Sequence, residues 1–291
     1  MKPAPFEYHA PGTAADAVSL LAGLGDGAKV LAGGQSLIPM LALRLTAFDH
    51  LVDIGRIAEM KGIERRDGAL WVGAGTTHSK VGASAEVASA VPLLTKATPL
   101  IGHFQIRSRG TLGGSIAHAD PAAEYPAVAL ALDADMEVLS PSGRRTIAAS
   151  DFFEGLWSTT MEPTEILVGV SFPSWSGRSG FALEEFALRH GDFAMAGAAL
   201  GVELDDGDRI RRCSIALIGL GSTPERRSAV EAELCGQPIT DIDPREVGRE
   251  AVSGLASIPS DLHGSASYRE RVGAAMVERA WSTAITEARG G

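Results

Sequence analysis

Two separate stretches of this 291-residue chain share one design, a polar residue or two beside a pair of glycines. The first is Ala32-Gly33-Gly34-Gln35-Ser36 and the second is Thr111-Leu112-Gly113-Gly114-Ser115. Adjacent glycines let successive backbone N–H groups turn toward one anion, and they let the chain approach a phosphate without a Cβ in the way. Serine and threonine add hydroxyl donors. A helix that begins at Leu37 adds the partial positive charge of its N-terminus to the first stretch. Two such cradles suit a dinucleotide pyrophosphate, one for each phosphate. Taken singly, each pair also reads as a plain turn. Neither fits G-x-G-x-x-G with a following acidic residue, and neither is a Walker loop.

The formal net charge is -10, and no run of Lys or Arg makes a nucleic-acid-binding stripe. The basic pairs Arg65-Arg66, Arg144-Arg145, Arg211-Arg212 and Arg226-Arg227 read as solvated turns or helix faces. With so few cations, backbone amides are the expected counter-charge for a dinucleotide. There are 2 cysteines, Cys213 and Cys235, without C-x-x-C spacing or a neighbouring histidine. An intrinsic four-cysteine iron–sulfur cluster is therefore excluded, and both thiols read as inert packing groups. His103, His118 and the four tryptophans read as packing or surface residues, whereas His190 reads equally as an exposed residue or a catalytic one. The first thirteen residues lack an apolar signal core, and no apolar run reaches the ~20 residues of a membrane helix. A cytoplasmic protein is expected.

The elements that must hold the two stretches follow from periodicity and punctuation. A strand at 6–9, a helix capped by Thr13, a strand at 29–32, a helix at 37–45 and a strand at 50–54 make a small α/β unit. A strand at 70–75 ends in Thr76-Thr77-His78. Residues 92–104 read as one helix. Strands are expected at 136–139, 144–148 and 166–172. The stretch 173–180, rich in Ser and Gly, is the best domain boundary. Beyond it come strands at 181–188, 196–204 and 211–220, with a hairpin turn at 205–208, then helices at 224–234, 244–255 and 267–288. Strands followed by helices indicate an α+β unit.

The runs AGGQSLIPMLALRL (32–45), VGAGTTH (72–78), IRSRGTLGGSIAHADPAAEYPAVALALDA (106–134), EILVGVSFP (165–173) and STPERRSAVEAEL (222–234), in this order, resemble the FAD-binding medium subunit of the molybdenum hydroxylases, the xanthine dehydrogenase and aerobic carbon monoxide dehydrogenase group. The resemblance implies an α+β fold: a vanillyl-alcohol-oxidase-type (PCMH-type) two-lobed FAD-binding domain over 1–176, with a small α/β lobe (1–55) and a larger, mainly antiparallel lobe (56–176). A C-terminal α+β domain over 177–291, a three-stranded antiparallel sheet plus helices, follows. It implies non-covalent FAD held at Ala32 to Leu37, Thr76, Thr77, His78, Ile101, Thr111, Gly113, Gly114, Ser115, Asp120, Glu124, Leu167, Val168 and Phe193. Within that set, Ala32 to Ser36 and Thr111 to Ser115 fall at the pyrophosphate. Asp120 and Glu124 fall near the ribityl and adenosine parts, and Phe193 near the isoalloxazine.

It further implies two partners: a large molybdenum-cofactor subunit and a small [2Fe–2S] subunit, assembled as a dimer of heterotrimers that reduces an external acceptor such as quinone. Two positions depart from the pattern. Gln35 stands where many relatives have histidine, and Glu185 stands where relatives often carry lysine near the flavin. An acid at 185 would disfavour an anionic reduced flavin. The branch with an extra cluster in this subunit is excluded by the cysteines. Two other function classes fit a chain of this kind. A self-contained FAD oxidoreductase of the same fold would need an acid/base constellation that the C-terminal part lacks. A scaffold that has lost FAD would not need two Gly-Gly segments.

Overall fold

A computed structural model describes residues 2–290. The chain forms three principal sheets with helices between them. The first is parallel and three-stranded, in the order Glu7–His9, His50–Asp53, Ala28–Leu31. Helix Ala14–Leu24 covers one face of it through Ala14, Ala17, Val18 and Leu21. Thr13 caps that helix, its hydroxyl accepting from the Asp16 N–H at 3.1 Å, as the sequence predicts.

The second sheet is antiparallel and five-stranded, in the order Ile63–Arg66, Ala69–Gly73, Ile166–Pro173, Asp135–Ser140, Gly143–Ala148. The third is antiparallel, in the order Arg178–Phe186, Ala196–Leu204, Ile210–Ile218, Glu225–Arg226. The short strand Glu225–Arg226 is an addition to the three expected, and it takes the residues predicted to start a helix. That helix begins later, at Ser228. The turn at 205–208 is held by Asp205, whose carboxylate accepts from the Gly207 and Arg209 N–H groups at 2.8 and 2.9 Å.

Strand Ala196–Leu204 is buried at every position. Helix Ala266–Ala288 packs on it, and Pro92–Ala97 and Glu124–Ala131 also contact it. Coverage on both faces explains why AGAALGV (196–202) is a continuous apolar run and not an alternating one. The C-terminal helix is tied to the rest of the molecule by Glu287, whose carboxylate accepts from Lys96 Nζ at 2.6 Å and from the Phe181 N–H at 2.7 Å.

Residues 92–104 are not one helix. They form helix Pro92–Ala97, a 3-10 turn Thr98–Leu100 and a break at Gly102, where φ is +48°. Pro99 has no N–H to continue the ladder, and Gly102 reverses the chain before Phe104–Arg107.

Candidate functional site

The parallel sheet and the antiparallel sheet meet across a cleft of about 710 Å³, a size typical of cofactor sites. One wall is built where two parallel strands end. Ala28–Leu31 runs into Ala32-Gly33-Gly34-Gln35, and His50–Asp53 runs into Gly55 and Arg56. Tyr8, on the edge strand, joins this wall, and its hydroxyl donates to Asp53 Oδ2 at 2.5 Å. That bond raises the Tyr8 pKa, since ionising the phenol would place two negative oxygens together. The other wall carries Lys61, Gly75, Thr77, Ser108, Arg109 and Thr111.

The cleft has the electrostatics of an anion site. Among the described residues, the backbone N–H groups of Gly33, Gly34, Gln35 and Ser36 donate to no acceptor within the chain. Four free amides beside a cleft form a nest for negative oxygens. Gly34 sits at φ +72°, a turn that an L side chain resists. Arg56 and Arg109 line the same space, and neither makes an ion pair or side-chain hydrogen bond among the described residues. Lys61 also lines it, with Nζ donating to the Gly55 carbonyl. The amides are therefore supplemented by three cations, contrary to the expectation that backbone must do this alone.

The second Gly-Gly segment is built differently. Thr111 caps helix Leu112–His118, and its Oγ1 accepts from the Gly114 N–H at 3.0 Å. The N–H groups of Leu112, Gly113 and Ser115 donate to Thr76, Ala74 and Thr111 carbonyls at 2.9, 2.9 and 3.0 Å. Every amide from 112 to 115 is thus consumed. A Cβ on Gly113 would lie 2.3 Å from Ala74 Cβ, so this glycine serves helix-to-strand packing. The two Gly-Gly segments thus differ in build, one an open nest and the other a closed helix start. Thr111 alone of that segment reaches the cleft, with its hydroxyl proton left to donate.

The unfilled amides, the basic walls and the volume fit an FAD pyrophosphate. A family model described as "FAD binding domain in molybdopterin dehydrogenase" matches residues 4–175, and one described as "CO dehydrogenase flavoprotein C-terminal domain" matches 181–284. The chain is 40% identical over 289 residues to the 6-hydroxypseudooxynicotine dehydrogenase complex subunit alpha of Paenarthrobacter nicotinovorans, covering 99% of this chain and 97% of that one. It is 37% identical over 284 residues to the carbon monoxide dehydrogenase medium chain of Hydrogenophaga pseudoflava, covering 98% of each. A solved structure of carbon monoxide dehydrogenase from the same organism superposes with a TM-score of 0.95 at 38% identity, over 99% of both chains.

The chain belongs to the FAD-binding medium subunits of the molybdenum hydroxylases. It is an FAD-binding oxidoreductase subunit with the PCMH-type domain and the C-terminal α+β domain of that family.

As a medium subunit, it places its sequence-predicted FAD residues in three zones. Ala32, Gly33, Gly34, Gln35, Thr77 and Thr111 line the cleft, while Ser36 and Leu37 continue the same turn. A second set supports it from behind. Thr76 is buried and staples Gly62 from both sides, accepting from its N–H at 3.0 Å and donating to its carbonyl at 3.1 Å. His78 is buried with Nε2 2.9 Å from the Thr111 carbonyl and its ring edge-on to Tyr125. The carbonyl only accepts, so Nε2 carries the proton, and burial lowers the pKa to about 4. His78 is thus a neutral positioning residue. Ile101, Leu167 and Val168 lie in the hydrophobic core, and Gly113 and Gly114 lie in the packed first turn of the helix. Ser115, one residue on, is half-buried and off the cleft lining.

The third zone lies toward the C-terminal domain. Asp120 accepts from the Ala122 N–H at 2.9 Å and from Trp157 Nε1 at 3.2 Å. Glu124 is buried at the start of Glu124–Ala131, and desolvation, reinforced by the charge of Glu185, raises its pKa to about 8. Glu185 is itself raised to about 7 by burial, with Oε2 buried and unpaired among the described residues. Its negative charge is therefore suppressed below neutral pH, which there weakens the expected effect of an acid at this position. Phe193 is 65% exposed on the loop after Gly191, which abuts Gly102 and His103.

Tyr8, Asp53, Arg56, Lys61, Ser108 and Arg109 are cleft residues that the sequence reading did not select. Arg109 had a signal, an arginine immediately before a Gly-Thr-Leu-Gly-Gly run. The others are isolated residues whose convergence only the fold creates.

Proposed function

We propose that this chain is the flavin relay of a three-polypeptide molybdenum hydroxylase. A separate large subunit oxidises the substrate, a separate small subunit carries two [2Fe–2S] clusters, and electrons from those clusters reach an external acceptor such as quinone by way of the FAD held here. The supporting observation is the nest of amides at Gly33 to Ser36, facing a cleft with Arg56 and Arg109, all without partners among the described residues. Bound FAD supplies the exchange between single electrons and electron pairs. The chain's own residues hold and screen it. The nest and the arginines take the pyrophosphate, Thr111 and Thr77 take neighbouring oxygens, and Asp120 and Glu124 lie toward the ribityl and adenosine parts. Phe193 lies toward the ring.

The FAD is read as held without a covalent link. The FAD-binding domain is read as 1–176, with lobes 1–55 and 56–176, and the C-terminal domain as 177–291. The assembly is read as a dimer of heterotrimers in the cytoplasm, meeting the membrane only through its acceptor. In the described residues no helix is long and apolar enough to cross a membrane. The relatives act on substrates as unlike as their names, so substrate choice is assigned to the large subunit.

Mixing three purified subunits tests the relay. Substrate should bleach the flavin of the reconstituted complex and leave the flavin of this chain alone oxidised. Reduction of the lone chain by carbon monoxide, an aldehyde or an N-heterocycle would replace the relay with a self-contained oxidoreductase. Acid precipitation should leave yellow FAD in the supernatant, and flavin in the pellet would contradict non-covalent binding.

A further inference from the structure

The edge strand of the parallel sheet carries a cluster that FAD binding leaves unused. Glu7 and His9 are two residues apart on Glu7–His9, so their side chains leave the same face of the sheet. The neighbouring parallel strand places His50 opposite Glu7. His9 Nε2 lies 3.2 Å from His50 Nδ1, and Glu7 Oε2 lies 3.5 Å from His50 Nδ1 and 4.0 Å from His9 Nε2. The three donor atoms all lie within 4.8 Å of one another.

These edges are close to those of a tetrahedral metal site. Bonds of about 2.0–2.1 Å at a tetrahedral angle separate ligand atoms by about 3.3–3.4 Å. The two edges that include His50 match to within about 0.2 Å. The longest edge belongs to Glu7, whose side chain is 74% exposed and can swing inward. Among the described residues Glu7 pairs with no Lys or Arg, so its carboxylate is not already neutralised. The two imidazoles are half-buried, which limits their motion yet leaves one side open for an ion and its water. Two nitrogens and one oxygen suit Zn²⁺, Co²⁺ or Ni²⁺, whereas Mg²⁺ and Ca²⁺ want oxygen shells.

We propose that Glu7, His9 and His50 form a site for a borderline divalent cation of the Zn²⁺ type, with solvent completing the coordination. The site clamps the edge strand to its neighbour on both sides of Tyr8. Tyr8 leaves the opposite face, where it bonds Asp53 in the FAD cleft. Occupancy would therefore hold the cleft wall from behind.

The test is titration of the tag-free full-length chain with Zn²⁺ by calorimetry, and with Co²⁺ by visible absorption. One saturable equivalent per chain is expected, with an intense tetrahedral Co²⁺ spectrum displaced by Zn²⁺ and a higher Tm in Zn²⁺. His9→Gln and His50→Gln should each weaken binding roughly tenfold or more, since even indirect ligand partners carry effects of that size. His190→Gln and His263→Gln, in exposed loops, should leave it unchanged. Should His50→Gln not fold, His9→Gln on the edge strand decides alone. Absence of a saturable equivalent in the parent chain, or full binding in His9→Gln, would overturn the site.

Discussion

The Cα of Gly33 faces the backbone of Arg109 so closely that a Cβ there would lie 2.4 Å from the Arg109 carbonyl oxygen. The two segments that meet across the cleft are therefore in backbone contact, and this glycine is required by the fold before any ligand arrives. Gly33→Ala should lower stability by about 1–3 kcal/mol or more, because the obstacle is backbone and cannot rotate away. Gly113→Ala should do the same against Ala74. Gly12→Ala, with nothing within 4 Å, should be close to neutral. Urea midpoints of the three variants check this. Normal stability in Gly33→Ala with lost FAD would show that the glycine serves only the phosphate.

Arg56 and Arg109 should act in the opposite way. Neither is paired among the described residues, so removing either leaves no described group stranded. Each should contribute about 1.5–3 kcal/mol of charge-assisted binding, which is roughly ten- to a hundredfold in FAD Kd. Arg56→Ala and Arg109→Ala should keep the parent Tm without cofactor and lose FAD affinity, with a weaker salt dependence of binding. Flavin fluorescence titration at two ionic strengths measures both. Unchanged affinity in both variants would remove the arginines from the site.

Much of this architecture was legible, and the failures have physical causes. Thr13 announced its helix because a hydroxyl before an apolar period is a local signal. Helix Glu124–Ala131 gave none, since all eight of its residues are buried and no polar face marks a period. Gly33-Gly34 and Gly113-Gly114 look alike in sequence, but one pair frees amides and the other admits a neighbouring strand. The difference lies in Ala74, nearly forty residues upstream, which no local pattern reveals. Thr111 was nonetheless readable as a helix cap three residues before Gly114. Arg56, Lys61 and Arg109 become one basic wall only when the parallel and antiparallel sheets face each other.

His78 should make the protein acid-sensitive. Its folded pKa is lowered to about 4 against about 6.5 for a free imidazole, chiefly by burial. A depressed pKa means that the folded state resists protonation. Its contribution is therefore present above about pH 6.5 and is lost as pH falls toward 4, amounting to roughly 3 kcal/mol over that window. His78→Gln can keep a donor toward the Thr111 carbonyl without a titrating ring. The variant should be less stable than the parent at pH 7 and should lose less stability between pH 7 and 4.5. Parallel urea curves for parent and variant at those two pH values decide, and equal slopes against pH would discard the role given to His78.

Glu124 and Glu185 should give the reverse dependence. Burial raises both, to about 8 and about 7, and the charge of Glu185 further opposes ionisation of Glu124. A raised carboxyl pKa means that the folded state binds protons the unfolded chain has released. The stabilisation is complete below about pH 4.5 and is lost as pH climbs through about 7 and then about 8. Gln is the neutral isostere of the protonated acid. Glu185→Gln should therefore differ little from the parent at pH 5.5 and be more stable at pH 8.5, by about 1 kcal/mol after allowance for partial exposure. The same substitution removes the charge that helps hold Glu124 protonated, so the remaining carboxyl should ionise at lower pH. Infrared difference spectra across pH 5–9, following the protonated-carboxyl stretch, would report one such group lost and the other shifted downward. A Glu124 signal that does not move in Glu185→Gln would show that the two acids are not coupled.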